Sequence, residues 1–169
     1  MLSARGSEQE RWLARAEEAT RKQFGREVFV RAVVEVSNFC RENCSYCGMR
    51  RDNRSLERFR AEADQLAGLL IEHRPDSATD VNIQAGEDPV AVRNVVLPLL
   101  ETLSKETDLG LSVCVGTLNA ELYQELQDAG ASIYIMKFEV GDAAEYDQFQ
   151  APGNQPERLE HIRFLANSG

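Results

Sequence analysis

Three cysteines stand within eight residues, in the run Phe39-Cys40-Arg41-Glu42-Asn43-Cys44-Ser45-Tyr46-Cys47-Gly48. The spacing is C-x3-C-x2-C. A closed structural metal site usually takes four thiolate or imidazole ligands, and here the sequence supplies three close together. An iron–sulfur cluster held by three cysteines leaves one iron without a protein ligand. That iron is where a small-molecule cofactor binds metal directly.

Two plainer readings compete. Cys44-x2-Cys47 is a common zinc half-site, which Cys114 or a distant histidine could complete. The x3 spacing and the third nearby thiol weigh against it. Reduced core thiols fit worse, because Arg, Glu, Asn and Ser surround the trio. Cys114 lies in an apolar stretch and reads as a small buried hydrophobe. Residues 41–60 carry six arginines (Arg41, Arg50, Arg51, Arg54, Arg58 and Arg60) against Glu42, Asp52 and Glu57. Arg50 and Arg51 directly follow the cysteine loop and are expected to offset thiolate charge and help hold an anionic ligand. Arg58 and Arg60 read as a solvated face. His73 and His161 fall on predicted helices, so no histidine acid–base machinery is apparent. No glycine-rich phosphate loop of either common form occurs.

The elements that must position these residues alternate. Residues 7–23 have the period of an amphipathic helix, with Trp12, Leu13, Ala16 and Ala19 on one face and Gly25 as the stop. Val28 to Val36 reads as a buried strand running into the cysteine loop. Phe59, Ala63, Leu66, Leu70 and His73 keep helical spacing. Asp80 to Ala85 reads as a second strand ending in Gly86-Glu87-Asp88. Asp88 is placed to cap a helix with Pro89 in its first turn, bent near Pro98. Leu109 to Val115 is a third strand, and Asn119 caps the helix of Leu122, Leu126 and Ala129. Ala131 to Glu139 is a fourth strand. A short helix over 143–149 and a last helix from Pro156, presenting Leu159, Ile162 and Leu165, complete the pattern.

Four β-α units in succession predict parallel strands, and four are half of an eight-unit barrel. The expected architecture is therefore an α/β half-barrel in one domain over residues 1–169, an incomplete barrel whose exposed sheet edges invite self-association. In such folds ligands collect at the carboxyl ends of strands. The cysteine loop, Gly86-Glu87-Asp88, Ser112 with Cys114, and Lys137 with Glu139 all fall at that end. Glu87 reads as a carboxylate for an ammonium group, and Gly86 as the residue that lets the group approach the backbone.

The 169 residues suffice for a sizeable core. A net charge of −9 argues against broad nucleic-acid binding. There is no apolar run of spanning length and no signal-peptide pattern, so a reducing cytoplasm and a metal role for the cysteines are expected.

The cysteine spacing resembles that of the radical S-adenosylmethionine (SAM) superfamily. The longer run Val36-Ser37-Asn38-Phe39-Cys40 through Cys47-Gly48-Met49-Arg50-Arg51-Asp52-Asn53 is similar to its hydrogenase-maturase group, with biotin synthase and methylornithine synthase as relatives. Gln84-Ala85-Gly86-Glu87-Asp88-Pro89 resembles that group's Gln-Ser-Gly-Glu-Asp-Pro. Ala129-Gly130-Ala131 and Tyr134-Ile135-Met136-Lys137-Phe138-Glu139 resemble its fourth strand. The resemblance implies the N-terminal part of a TIM-type barrel with a 4Fe–4S cluster on Cys40, Cys44 and Cys47. It implies Tyr46 near the SAM adenine, Glu87 on the SAM amino group, Gly86 shaping the pocket and Glu139 in contact with SAM. Lys137-Phe138-Glu139-Val140 departs from the maturase's Arg-His-Glu-Thr. Lysine keeps the positive charge of the cofactor-side arginine without its planar fork. The implied activity is reductive cleavage of SAM to a 5′-deoxyadenosyl radical acting on a small-molecule substrate, with an electron donor such as ferredoxin or flavodoxin. A non-catalytic iron–sulfur or zinc-binding module is the alternative.

Overall fold

The computed structural model describes residues 3–168. The chain divides into two compact units, one reaching Val30 and the other beginning at Arg31. In the first, helix α1 (Gly6–Phe24) ends at Gly25, whose φ of 65° suits a residue without a Cβ. The helix forms as its periodicity predicts, but none of its residues is buried and Leu13 is 62% exposed. Arg15 instead lies over the Trp12 ring, 4.9 Å from its centroid.

In the second unit, β1 (Val30–Ser37, of which all but Val30 belongs to this unit), β2 (Ala78–Ala85), β3 (Gly110–Cys114) and β4 (Ile133–Tyr134) form one sheet in the spatial order of the sequence. The β2–β3 and β3–β4 pairs are parallel, with Gln84 opposite Cys114 and Val113 opposite Tyr134. Helices α2 (Ala63–Glu72), α3 (Pro89–Ala91), α4 (Leu97–Glu106) and α5 (Ala120–Asp128) connect the strands, and α6 (Ala143–Gln148) and α7 (Gln155–Asn167) follow. Strand alternation sends Val36, Val81, Ile83, Val113 and Val115 into the core with Leu99, Leu100, Leu103 and Leu126. The intervening residues, Glu35, Asn82, Gln84, Ser112 and Cys114, occupy the other face. Burying each of the large aliphatic side chains contributes about 1.5–3 kcal/mol.

Three boundaries differ from the sequence expectation. Only the end of β1 is buried: Val28 is 84% and Phe29 68% exposed, and the strand begins after them. Phe59 is not helical. Residues 59–61 run antiparallel along the end of β1, with Ala61 N–H donating to the Val36 carbonyl at 2.8 Å. The fourth strand stops at Tyr134, although Ile135 N–H still reaches the Val113 carbonyl at 2.8 Å. At Glu139 the backbone turns to φ 64°, which no strand accommodates.

The helical segment after β2 also departs from a simple bend. Asp88 caps it by accepting from Val90 N–H, as expected. A π-helical turn, Val92–Val96, then precedes α4, with Leu97 N–H donating to the Val92 carbonyl. Pro98 has no N–H to give, and the widened turn places that lost donor without breaking the helix.

Candidate functional site

The cysteine loop is held by hydrogen bonds along its whole length. Arg41 N–H donates to the Glu87 carbonyl at 3.0 Å, and Glu87 N–H returns to Cys40 Sγ at 3.3 Å. Cys47 N–H donates to the Cys44 carbonyl at 3.1 Å, and Arg51 N–H to the Glu42 carbonyl at 2.7 Å. Asn43 and Asp52 exchange side-chain and backbone bonds at 3.0 and 3.2 Å. Asn53 Nδ2 donates to the Gly48 carbonyl at 2.7 Å. Ser45 docks the loop on the Phe149 carbonyl through its N–H (2.9 Å) and hydroxyl (3.1 Å).

The arginines divide the work differently from the sequence expectation. Arg58 donates to the carbonyls of Asn38, Met49 (2.8 Å), Arg50 (2.7 Å) and Asn53 (3.3 Å), so it is a clasp for the loop and not a solvated side chain. Arg60 forms two bonds to Asp88, at 2.7 and 3.1 Å, and its guanidinium lies 3.9 Å from the Phe39 ring centroid. Asp88, beyond its capping role, also accepts from the Ser37 hydroxyl at 2.7 Å. Burial alone would raise the Asp88 carboxyl, but Arg60 and Ser37 outweigh it and hold it below its ordinary value. Arg50 bonds the Cys47 carbonyl and Arg51 bonds Asp52, so both act within the loop.

The loop forms one wall of a cavity of about 150 Å³ at the carboxyl ends of the strands. Every site residue expected from the sequence lines it: Cys40, Cys44, Cys47, Tyr46, Gly86, Glu87, Lys137 and Glu139. Cys114 also borders it, half-buried, rather than sitting in the core as expected. The Tyr46 ring packs edge-on against Phe149, centroids 6.2 Å apart. Burial first, then its contacts with the Cys44 sulfur and the Glu139 carboxylate, push the Tyr46 phenol far up. Burial likewise raises the Cys40 and Cys44 thiols.

Glycine is obligatory at two points of this wall. A Cβ on Gly86 would collide with the Phe39 carbonyl and with Cys40 Cβ at 2.8 Å. Gly116, with φ 80°, lies so close to the Glu87 side chain that a Cβ there would overlap it.

One residue lining the cavity was not singled out from the sequence. Arg158 on α7 is 3% exposed and donates to Glu87 Oε1 at 3.0 Å and to Met136 sulfur at 2.7 Å. Its Nε lies 3.5 Å from the Tyr146 hydroxyl, which itself donates to the Pro152 carbonyl at 2.7 Å. Thr117 N–H adds a bond to Glu87 Oε1 at 3.0 Å, and Arg41 Nε reaches Oε2 at 3.2 Å. Burial would lower the Arg158 guanidinium, but Tyr146 and Glu87 hold it above its ordinary value. A signal was present: Arg158, Ile162 and Leu165 share one face of the helix, so a charge occupies an inward position. Of α7, Arg158 is the buried residue, while Leu159, Ile162 and Leu165 are only partly covered.

The donor set fits a cluster better than a single ion. Among the described residues no three His, Cys, Asp or Glu side chains stand close enough to share one metal ion, as tetrahedral zinc requires. A cubane places each thiolate on a different iron, and Cys40, Cys44 and Cys47 line one cavity, as the ligands of such a cluster must. A glutamate beside two arginines gives the same cavity an acidic and a basic group for a zwitterionic ligand.

A family model described as the radical SAM superfamily matches residues 34–169. The chain belongs to the radical SAM superfamily. It is 31% identical over 157 residues to the [FeFe] hydrogenase maturase subunit HydE of Thermotoga maritima, covering 91% of this chain and 44% of that protein. It is 27% identical over 116 residues to a biotin synthase of Staphylococcus aureus, covering 66% of this chain and 35% of that one. The chain thus spans less than half the length of the curated relatives it matches. The structure of methylornithine synthase (PylB) superposes with a TM-score of 0.87 at 20% identity, over 99% of this chain and 50% of that one. The radical SAM fold expected from the sequence, a TIM-type half-barrel, is the fold found. No helix among the described residues is long and apolar enough to cross a membrane.

Proposed function

We propose that this chain binds a 4Fe–4S cluster and SAM and forms the cofactor-binding half of a radical SAM enzyme. The observation that carries the reading is one cavity lined by the cysteine trio together with Tyr46, Gly86, Glu87, Lys137, Glu139 and Arg158. Cys40, Cys44 and Cys47 are the iron ligands. When bound, the cluster supplies one electron to SAM, and SAM supplies the 5′-deoxyadenosyl radical that attacks a small-molecule substrate.

The residues around the cofactors bind and orient them. Glu87 is the acceptor for the SAM amino group, and Arg158, its present partner, is placed to receive the SAM carboxylate. Tyr46 and Glu139 hold the nucleoside side of the pocket, and Gly86 keeps the wall thin enough for close approach. Lys137 supplies positive charge at the border between SAM and the concave face of the sheet. Electrons come from a small reductant protein such as ferredoxin or flavodoxin.

Anaerobic reconstitution with iron and sulfide, then chemical reduction with SAM, tests the reading. The expected product is 5′-deoxyadenosine. A cluster without that product supports a non-catalytic binding module, and a colourless zinc protein overturns both.

A further inference from the structure

The Glu87 carboxylate is held at both oxygens, and by different parts of the chain. Oε1 accepts from Thr117 N–H and from Arg158 Nη2, each at 3.0 Å, which engages both of its lone pairs. Among the described residues Oε2 accepts from Arg41 Nε alone, at 3.2 Å, and keeps a second lone pair for a ligand in the cavity that Glu87 lines. Of the three partners, Arg41 is the one in the cysteine loop. Its Nη2 also lies 3.2 Å from Oε2 and donates to the Thr117 carbonyl at 3.0 Å. Its N–H donates to the Glu87 carbonyl at 3.0 Å, and Glu87 N–H returns to Cys40 Sγ at 3.3 Å. One arginine therefore ties together the cysteine loop after β1, the Glu87 turn after β2 and the Thr117 turn after β3.

The terminal torsion of a glutamate has a broad minimum, so a carboxylate fixed at one oxygen still turns about it. Thr117 and Arg158 fix Oε1, and Arg41 fixes Oε2. We propose that Arg41 is a positioning residue: it sets the plane of the Glu87 carboxylate so that Oε2 presents its remaining lone pair to the amino group of the bound cofactor. The role rests on the radical SAM reading of the cavity, in which Glu87 takes that amino group. Arg41 does not line the cavity and acts through Glu87. Its side chain is 51% exposed, and Glu42 Oε1, 3.6 Å from Nε, offsets part of its charge, so it works by geometry more than by field.

Equilibrium binding to the anaerobically iron-loaded, unreduced chain tests this. The probes are S-adenosylhomocysteine and its analogue in which hydrogen replaces the amino group. Arg41→Met should weaken S-adenosylhomocysteine about tenfold, the loss of one well-aligned bond to a charged group, and leave the analogue unchanged. Arg41→Lys keeps the charge without the fork and should recover part of the loss. A role confined to loop structure would weaken both ligands alike. A role confined to charge would weaken the anionic analogue more than the zwitterion. Either result, or unchanged affinity for both, overturns the proposal. If Arg41→Met takes up no iron, the same comparison in Arg41→Lys decides: a loss confined to S-adenosylhomocysteine supports the role and any other result overturns it. Iron and sulfide per chain are measured on every sample. An unaltered chain that loads no cluster or binds no S-adenosylhomocysteine overturns the cofactor reading and this role with it. Normal loading and binding, with no selective loss in the variants, overturns the positioning role alone.

Discussion

Glu87 and Arg158 form an ion pair whose side chains are 7% and 3% exposed. Removing one member of such a pair strands the other charge in a poorly solvated place. Arg158→Met should therefore destabilise the chain by about 3 kcal/mol, read as a lower midpoint in urea unfolding. Glu87→Gln with Arg158→Met together should recover part of that loss, and a strictly additive pair would contradict the coupling. At this scale the convergence of the cysteines, Gly86, Glu87 and Glu139 on one cavity was legible from the cysteine spacing, the ends of the strands and the family resemblance. Arg158 was not, because its partner is far away in the chain and only its inward helical position betrays it. Arg58 and Arg60 were misread for a related reason. Charge composition does not tell that Arg58 turns back onto loop carbonyls or that Arg60 pairs with the Asp88 carboxylate.

Among the elements, the turns after strands carry the site. Gly86→Ala would press a methyl group into backbone at Phe39 and into Cys40, so the cysteine loop should shift. The expected outcome is a folded chain that takes up much less iron in anaerobic reconstitution; full iron content would contradict the packing argument. The Asp88 turn predicts a pH dependence. Its folded carboxyl lies below the ordinary value of 3.8 because Arg60 and Ser37 outweigh burial. The stability it contributes is fully present above 3.8 and is lost as pH falls through the lower folded value. Arg60→Ala should reduce this acid sensitivity, measured as the slope of unfolding free energy between about pH 5 and pH 2. Strand and helix existence were readable from periodicity, and Asp88 and Asn119 cap as expected. The early stop of β4 was not, because Ile135, Met136 and Phe138 look like strand residues while the backbone at Glu139 turns left-handed.

For the molecule as a whole, the core lies between one sheet face and the helices after β1, β2 and β3. Leu100 is fully buried there, and Leu100→Ala should cost about 3 kcal/mol, read in the same urea experiment. The apolar start of β1, where Val30 is 42% and Val33 59% exposed, keeps self-association a proposal, and light scattering over a concentration series tests it. The half-barrel was legible from four β-α repeats. The division at Val30 was not, since the amphipathic period of α1 predicts a covered face and the structure buries none of it. Central to everything is the claim that three thiolates hold a cubane with one iron left to a cofactor. Electron paramagnetic resonance of the anaerobically reconstituted, reduced chain measures this most directly. A 4Fe–4S signal whose shape changes on adding SAM, and which disappears in the Cys44→Ser variant, is the predicted result. Iron uptake that survives the loss of Cys44, or a cluster signal indifferent to SAM, would contradict it.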